Sequence, residues 1–106
     1  MPPDSFTQHL TFVSDPGHGW MRVPLADIAR IGIADTISHC SFIDISNGMA
    51  YLEEDCDVAR YLEALEAAGI NRPQITTDYV EFFDRTRFAR FGDACFDAAF
   101  WETHAS

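Results

Sequence analysis

The feature that most constrains the fold is an Asn47-Gly48 pair that lies between two apolar runs. Asn-Gly is the preferred pair for a two-residue β-hairpin turn, because both residues tolerate positive φ. Residues 36–45 and 49–53 are therefore predicted to form the two strands of a hairpin. With a tight turn, one face of this hairpin is apolar and belongs to the core: Ile43, Ile45, Ala50 and Leu52.

A second hairpin is predicted upstream, where residues 10–14 and 20–23 flank the turn sequence Asp-Pro-Gly-His-Gly. Proline fixes φ and glycine accepts positive φ, so this run is typical of a turn. A short helix should follow, because Pro24 suits a first helical turn and Gly32 suits a helix end.

A further helix is predicted to start after Asp55, a favourable N-cap residue. Its apolar positions recur at helical spacing: Val58, Tyr61, Leu62 and Leu65. Gly69 is predicted to end this helix, and Pro73 prevents its return. Residues 74–80 are rich in β-branched and aromatic side chains, which predicts a strand.

Residues 81–91 mix phenylalanine with arginine, and strand, loop and helix all remain open there. Asp93 is a candidate cap for a final helix through Phe100. We therefore predict an α+β fold, with an antiparallel sheet of about four to five strands built from two hairpins and helices packed mainly on one face. The 106 residues are predicted to form a single domain, 1–106.

The charge balance argues against direct binding to nucleic acid or to a membrane surface. Seventeen carboxylates oppose seven arginines, and the chain has no lysine, so its net charge is −10. Such a surface repels phosphates and anionic lipid headgroups. No run approaches the ~18 apolar residues of a membrane span, and the N-terminus lacks the basic start of a signal peptide.

Three cysteines, Cys40, Cys56 and Cys95, occur without a Cys-x-x-Cys pair. This spacing fits a reduced compartment and does not indicate structural zinc. The acidic run at residues 53–57 also lacks the spaced aspartates and the glycine of a calcium-binding EF-hand loop. We therefore predict a cytoplasmic protein, with no metal site and no cofactor.

The acidic run itself, Glu-Glu-Asp-Cys-Asp at residues 53–57, has two interpretations. Its carboxylates are favoured near the partial positive charge of a helix N-terminus, or they form an acidic knob that a basic partner could grip. The same carboxylates should raise the pKa of the Cys56 thiol by more than the helix lowers it. Phosphate-binding loops and a Gly-x-Ser-x-Gly motif are also missing, so an enzyme is the less favoured class and no catalytic residue is assigned.

His18 lies between two glycines, so its side chain is predicted to be exposed and free to orient. Trp20 beside it is either a core residue or an interface anchor. Arg85, Arg87 and Arg90 alternate with phenylalanines. They are predicted to pair with the chain's own carboxylates, or to contact a partner or a second copy, rather than to grip single-stranded nucleic acid.

Four short runs stand out within residues 12–70: His-Gly-Trp at 18–20, Val-Pro at 23–24, Gly-Ile-Ala-Asp with Ile-Ser at 32–38, and Tyr-Leu-Glu-Glu-Asp-Cys-Asp at 51–57. On these runs the chain resembles an uncharacterised family of small proteins from phages, plasmids and bacterial genomes. The resemblance implies an accessory protein of a mobile element and implies no catalytic residue. The chain departs from the family's pattern from Asp93 onward.

Acidic charge, small size and this resemblance predict a protein that acts by binding another protein. The specific hypothesis is that its carboxylates mimic nucleic-acid phosphates in the basic groove of a host nucleic-acid-handling defence protein, as an anti-CRISPR or anti-restriction inhibitor. The predicted partner-binding residues are Glu53, Glu54, Asp55, Asp57, Tyr51, Asp44, His18 and Trp20. Two alternatives stay open: a self-associating structural or regulatory module, such as a homodimer joined through Tyr51, Phe42 and the C-terminal aromatics, and a hydrolase that uses His18.

Overall fold

The computed structural model describes residues 6–92 and 96–105. Within these ranges six strands form one sheet: β1 His9–Ser14, β2 Gly19–Pro24, β3 Phe42–Asp44, β4 Met49–Glu53, β5 Gln74–Tyr79 and β6 Ala89–Arg90. The strand order is β5-β1-β2-β4-β3-β6. All pairings are antiparallel except that of β5 with β1. The predicted α+β class is confirmed, and the sheet has more strands than predicted.

Three helices, α1 (Leu25–Ile31), α2 (Val58–Ala67) and α3 (Ala98–Ala105), pack on one side of this sheet, as predicted. The strands contribute a continuous set of buried side chains to this core: Leu10, Met21, Val23, Ile43, Ala50 and Leu52. Because side chains alternate along a strand, the neighbouring residues point to the opposite face.

The opposite face is covered by residues 81–91, the segment that the sequence pattern leaves open. These residues form a loop with a 3-10 turn at Arg85–Arg87, and they end in the short strand β6. Their phenylalanines complete what we call the aromatic cluster: Trp20, Phe42, Tyr51, Phe83 and Phe88. The rings of Trp20 and Phe83 stack with their centroids 4.2 Å apart. The sheet is therefore buried on both faces at its centre.

The hairpin at Asn47-Gly48 forms, but through a four-residue loop rather than a two-residue turn. Asp44 causes the difference, because its carboxylate accepts hydrogen bonds from the Asn47 backbone N–H at 3.3 Å and from Nδ2 at 2.8 Å. Ile43 consequently pairs with Ala50, which shifts the predicted register by two residues and leaves the facing of the strand residues unchanged. Contrary to the prediction, Ile45 is not part of the core. It lies in the wider loop and is 60 % exposed.

Strand β3 is also shorter than the predicted range 36–45, since it begins only at Phe42. The preceding residues form a 3-10 turn, Ala34–Thr36, and a loop that reaches towards α2. In this loop Ser38 and Ser41 donate hydrogen bonds to the buried carboxylate of Asp57. Side-chain bonds to a buried carboxylate thus replace the strand pairing that the apolar pattern predicts.

Strand β5 is parallel to β1, whereas the sequence predicts a wholly antiparallel sheet. Helix α2 carries the chain back across the sheet, so the strand that follows runs in the direction of β4. Strand β1 has the same direction, because β1 and β4 are both antiparallel to β2. The pair is bounded by hydrogen bonds from Gln74 N to Gln8 O and from Val80 N to Ser14 O, each 2.8 Å long.

The final helix is described over Ala98–Ala105, where Trp101 stacks on Phe91 with a centroid distance of 5.6 Å. The helix begins at Ala98, where Asp97 Oδ1 accepts a hydrogen bond from Phe100 N at 3.1 Å. Its cap is therefore Asp97 and not the predicted Asp93, which lies outside the described residues. None of the described helices is both long enough and apolar enough to cross a membrane.

Candidate functional site

Asp57, the last carboxylate of the acidic run, is fully buried and binds the chain's own groups. It accepts hydrogen bonds from Ser38 N at 3.1 Å, from Ser38 Oγ at 2.7 Å and from Ser41 Oγ. Helix α2 consequently begins at Val58, with Asp57 rather than the predicted Asp55 in the preceding position. The Asp57 side chain therefore ties the loop before β3 to the start of α2 and is not on the surface.

Glu53 is also buried, with 7 % of its surface exposed. Its Oε2 accepts hydrogen bonds from Asp55 N and Cys56 N, each at 2.9 Å, and so holds the turn between β4 and α2. The two carboxylates between the buried ones, those of Glu54 and Asp55, are exposed. The acidic run thus divides, with its ends serving the fold and its middle facing solvent.

Three further predicted partner-binding residues are engaged within the chain. Asp44 is buried and holds the hairpin loop, and Trp20 is 1 % exposed within the aromatic cluster. Tyr51 is half-buried and stacks on Phe88 with a centroid distance of 5.0 Å. Trp20 is therefore a core residue. The surface considered for self-association, Tyr51 with Phe42, is covered by the loop at 81–91.

His18 is exposed, as predicted, at the tip of the turn between β1 and β2. The turn is held by Asp15, whose carboxylate accepts hydrogen bonds from His18 N at 2.8 Å, Gly17 N at 2.9 Å and Phe83 N at 3.3 Å. Desolvation alone would raise the pKa of Asp15, but these three donors together hold it below its ordinary value. Asp15 is therefore a carboxylate that stays ionised in neutral solution.

The exposed carboxylates of the acidic run meet others at one end of the sheet. Strands β1, β4 and β5 run in the same direction, so the residues that follow them lie at the same end. We call this group the acidic rim: Asp15, Glu54, Asp55 and Glu81. Glu54 N donates to Gly19 O at 2.9 Å, which ties the end of β4 to the start of β2. Asp15 and Glu81 line one shallow depression.

The outer edge of β5 adjoins this rim, and sequence reasoning does not single it out. All six of its residues are exposed, with Tyr79 at 81 %. Because Gln74 N and Val80 N donate towards β1, and backbone groups alternate along a strand, the N–H and C=O groups of Ile75, Thr77 and Tyr79 point away from the sheet. No other described strand pairs with this edge. The sequence feature that could have indicated this edge is the polar content on both faces of the segment Gln-Ile-Thr-Thr-Asp-Tyr, which is typical of an edge strand.

A cleft of about 300 Å³ opens at the same end of the sheet, beside the acidic rim. His18, Cys40 and Cys56 line it, with Arg85 and Arg90 on the side of the loop at 81–91. Among the described residues, no group of three or more histidine, cysteine, aspartate or glutamate side chains is placed to hold a metal ion.

Comparison with known proteins returns no match: no protein-family model, no curated protein and no solved structure matches this chain. The resemblance to the phage and plasmid family therefore stays a prediction. Function has to be argued from the acidic rim, the β5 edge and the cleft.

Proposed function

We propose that the protein acts by binding another protein, and that the outer edge of β5 together with the acidic rim forms the binding surface. The observation that carries the proposal is the free backbone of β5: Ile75, Thr77 and Tyr79 direct their N–H and C=O groups away from β1, and no described strand pairs with them. An extended segment of a partner can add to such an edge, with main-chain hydrogen bonds supplying affinity.

The charges around the edge indicate what kind of partner fits. Asp78 is exposed on β5, Glu81 follows it, and the remaining rim carboxylates continue along the end of the sheet. Strand β5 itself carries no basic residue, and the whole chain has a net charge of −10. A partner segment rich in arginine or lysine gains electrostatic attraction here, whereas an acidic one is repelled.

Within this proposal the partner is a host protein that handles nucleic acid. Such proteins carry basic grooves for phosphates, and spaced carboxylates on a rigid sheet end can occupy such a groove. The resemblance to phage and plasmid proteins supports a mobile-element accessory that blocks a defence protein in the bacterial cytoplasm, in the manner of an anti-CRISPR or anti-restriction protein. The exposed members of the predicted set, Glu54, Asp55 and His18, contact the partner, and buried Glu53 holds the turn that carries Glu54 and Asp55.

The test is a comparison of immobilised variants in bacterial lysate, with bound proteins quantified by mass spectrometry. Thr77→Pro removes one outward N–H of β5 and leaves the inward ones, which an edge strand tolerates. Glu54→Arg with Asp55→Arg reverses the charge of two residues of the acidic rim. The matched control is Glu63→Arg with Glu66→Arg, which makes the same charge change on the exposed side of α2.

We expect the wild type and the α2 control to retain a basic protein. The rim variant should reduce its retention about tenfold or more, because losing a hydrogen bond to a charged group costs ~1.5 kcal/mol or more. The edge variant should reduce it several-fold, because Thr77→Pro removes one main-chain donor. Duplex DNA added to the beads should displace the bound protein. Equal retention on all four baits would contradict the proposed surface. Retention that duplex DNA does not affect would contradict the groove-blocking mechanism alone.

The alternative, a self-associating module, would use the same edge. Antiparallel pairing of two β5 strands about Thr77 places Ile75 opposite the second copy's Tyr79, so the outward backbone groups can be satisfied by a second copy. Light scattering separates the two cases. A mass of 11.9 kDa across a concentration series supports the hetero-partner proposal. Twice that mass for the wild type, with the monomer mass for Thr77→Pro, supports self-association.

A further inference from the structure

The cleft beside the acidic rim contains two cysteines that the proposed function does not use. Cys40 precedes β3 and Cys56 follows β4, and both are exposed to solvent. If the β3–β4 ladder is continued beyond the pair Phe42–Tyr51, Cys40 lies opposite Glu53. The turn after β4 then folds back, because Cys56 N donates to Glu53 O at 3.3 Å, which brings Cys56 over the same residue.

The two cysteine side chains consequently line the same cleft. The neighbouring groups of Cys40 and Glu53 raise the pKa of the Cys56 thiol to about 12. A thiol with this pKa stays protonated in neutral solution, so Cys56 gives up its proton only as its sulfur bonds to a partner.

Buried carboxylates hold the backbones of both cysteines. Cys40 N donates to Ser38 Oγ at 3.1 Å, and Ser38 Oγ donates to the carboxylate of Asp57. Cys56 immediately precedes Asp57 in the chain, and its N–H is fixed by Glu53 Oε2 at 2.9 Å. The backbones that carry the two thiols are thus fixed by two buried carboxylates, that of Asp57 for Cys40 and that of Glu53 for Cys56.

We propose that Cys40 and Cys56 form a reversible thiol–disulfide pair, which a peroxide oxidant closes and a small dithiol reopens. The inference does not rest on the proposed function. It assigns a modification site to the cleft, and closure would link the loop before β3 to the start of α2 next to Glu54 and Asp55.

The chemistry balances with peroxide as the only co-reactant. The Cys40 sulfur attacks one peroxide oxygen, so an S–O bond forms, the O–O bond breaks and one water leaves, which gives the sulfenic acid at Cys40. The Cys56 sulfur then attacks the Cys40 sulfur. The S–O bond breaks, the departing hydroxide takes the Cys56 proton as water, and the S–S bond remains. Two thiols lose two electrons and two protons in total, and one hydrogen peroxide becomes two waters.

The experiment treats the reduced full chain with a small excess of hydrogen peroxide and follows intact mass, peptide mapping and thermal unfolding. We expect the chain to lose the mass of two hydrogen atoms, and the mapped link to join Cys40 to Cys56. The melting temperature should rise by about 5 °C or more, because the link constrains the unfolded chain, and dithiothreitol should restore the original value.

Three single substitutions test which cysteines form the link. Cys95 lies outside the described residues, and Cys95→Ser is the matched control that should still form the link. Cys40→Ser and Cys56→Ser should each abolish the mass loss and the temperature shift. A link that includes Cys95, a disulfide between two chains, or addition of oxygen without any link would each overturn the proposal.

Discussion

At the scale of single residues, the acidic run shows that charge does not indicate exposure. Glu53 and Asp57 are buried and accept several hydrogen bonds each, whereas Glu54 and Asp55 between them face solvent. A carboxylate can be buried when donors surround it, because the hydrogen bonds offset the loss of hydration. Residue type and spacing therefore identify the acidic run, but they do not show which of its carboxylates are buried and which face solvent.

This division predicts opposite outcomes for two neighbouring substitutions. Asp57→Ala should lower the free energy of unfolding by about 3 kcal/mol, because Ser38 N, Ser38 Oγ and Ser41 Oγ lose a charged acceptor. Asp55→Ala, at an exposed carboxylate, should change it by less than about 0.5 kcal/mol. Urea unfolding followed by circular dichroism measures both values. Similar losses for the two variants would contradict the assignment of Asp57 as the internal anchor.

At the scale of elements, the hairpin of β1 and β2 depends on a close approach at Gly19. A Cβ atom built there would overlap the Phe12 ring and would lie 2.6 Å from Glu54 Oε2. Gly19→Ala should therefore destabilise the protein by about 2 kcal/mol through overpacking. Gly17→Ala in the same turn is the control, since its nearest atom would be Asp15 Oδ1 at 3.8 Å. Chemical denaturation of both variants provides the comparison, and equal midpoints would count against this packing.

Elements with local signals could be predicted from the sequence, and those set by distant contacts could not. Asn47-Gly48 locates a hairpin and Gly32 ends α1 with φ +80°, because turn and cap chemistry lie within a few residues. The parallel pairing of β5 depends on where helix α2 places the following residues beside β1. The position of the loop at 81–91 depends on the stacking of Phe83 on Trp20, which is distant in sequence. For the same reason Glu54 and Asp55 of the acidic rim could be proposed from the sequence, whereas Asp15, Glu81 and the free β5 edge could not.

At the scale of the whole molecule, stability should fall as the pH rises above about 8. Contacts with Cys40 and Glu53 raise the pKa of Cys56 to about 12, and burial together with Asp27 raises the pKa of Tyr61. The folded chain then holds protons that the unfolded chain releases near ~8.5 and ~10, so the free energy of unfolding decreases with pH across this window. The growing negative charge acts in the same direction.

Urea midpoints measured between pH 7 and pH 11 in reductant test this dependence. Cys56→Ser should flatten the first part of the decline, because serine does not titrate there, and Tyr61→Phe should flatten the later part. A midpoint that stays constant or rises up to pH 11 would contradict the tighter proton binding of the folded state.

The position of β1 in the sheet has a consequence for the order in which the protein is made and folds. Strand β1 pairs on one side with its immediate successor β2, and on the other with β5, where His9 meets Gln74 after 65 further positions. The local hairpin can form early, whereas the second pairing requires closure of a long loop. A nascent chain that has not yet released β5 from the ribosome therefore presents β1 as its open edge. The finished protein moves that open edge outward to the polar strand β5, and so the side chain of Leu10, which is buried in the folded chain, is open to other chains only during synthesis.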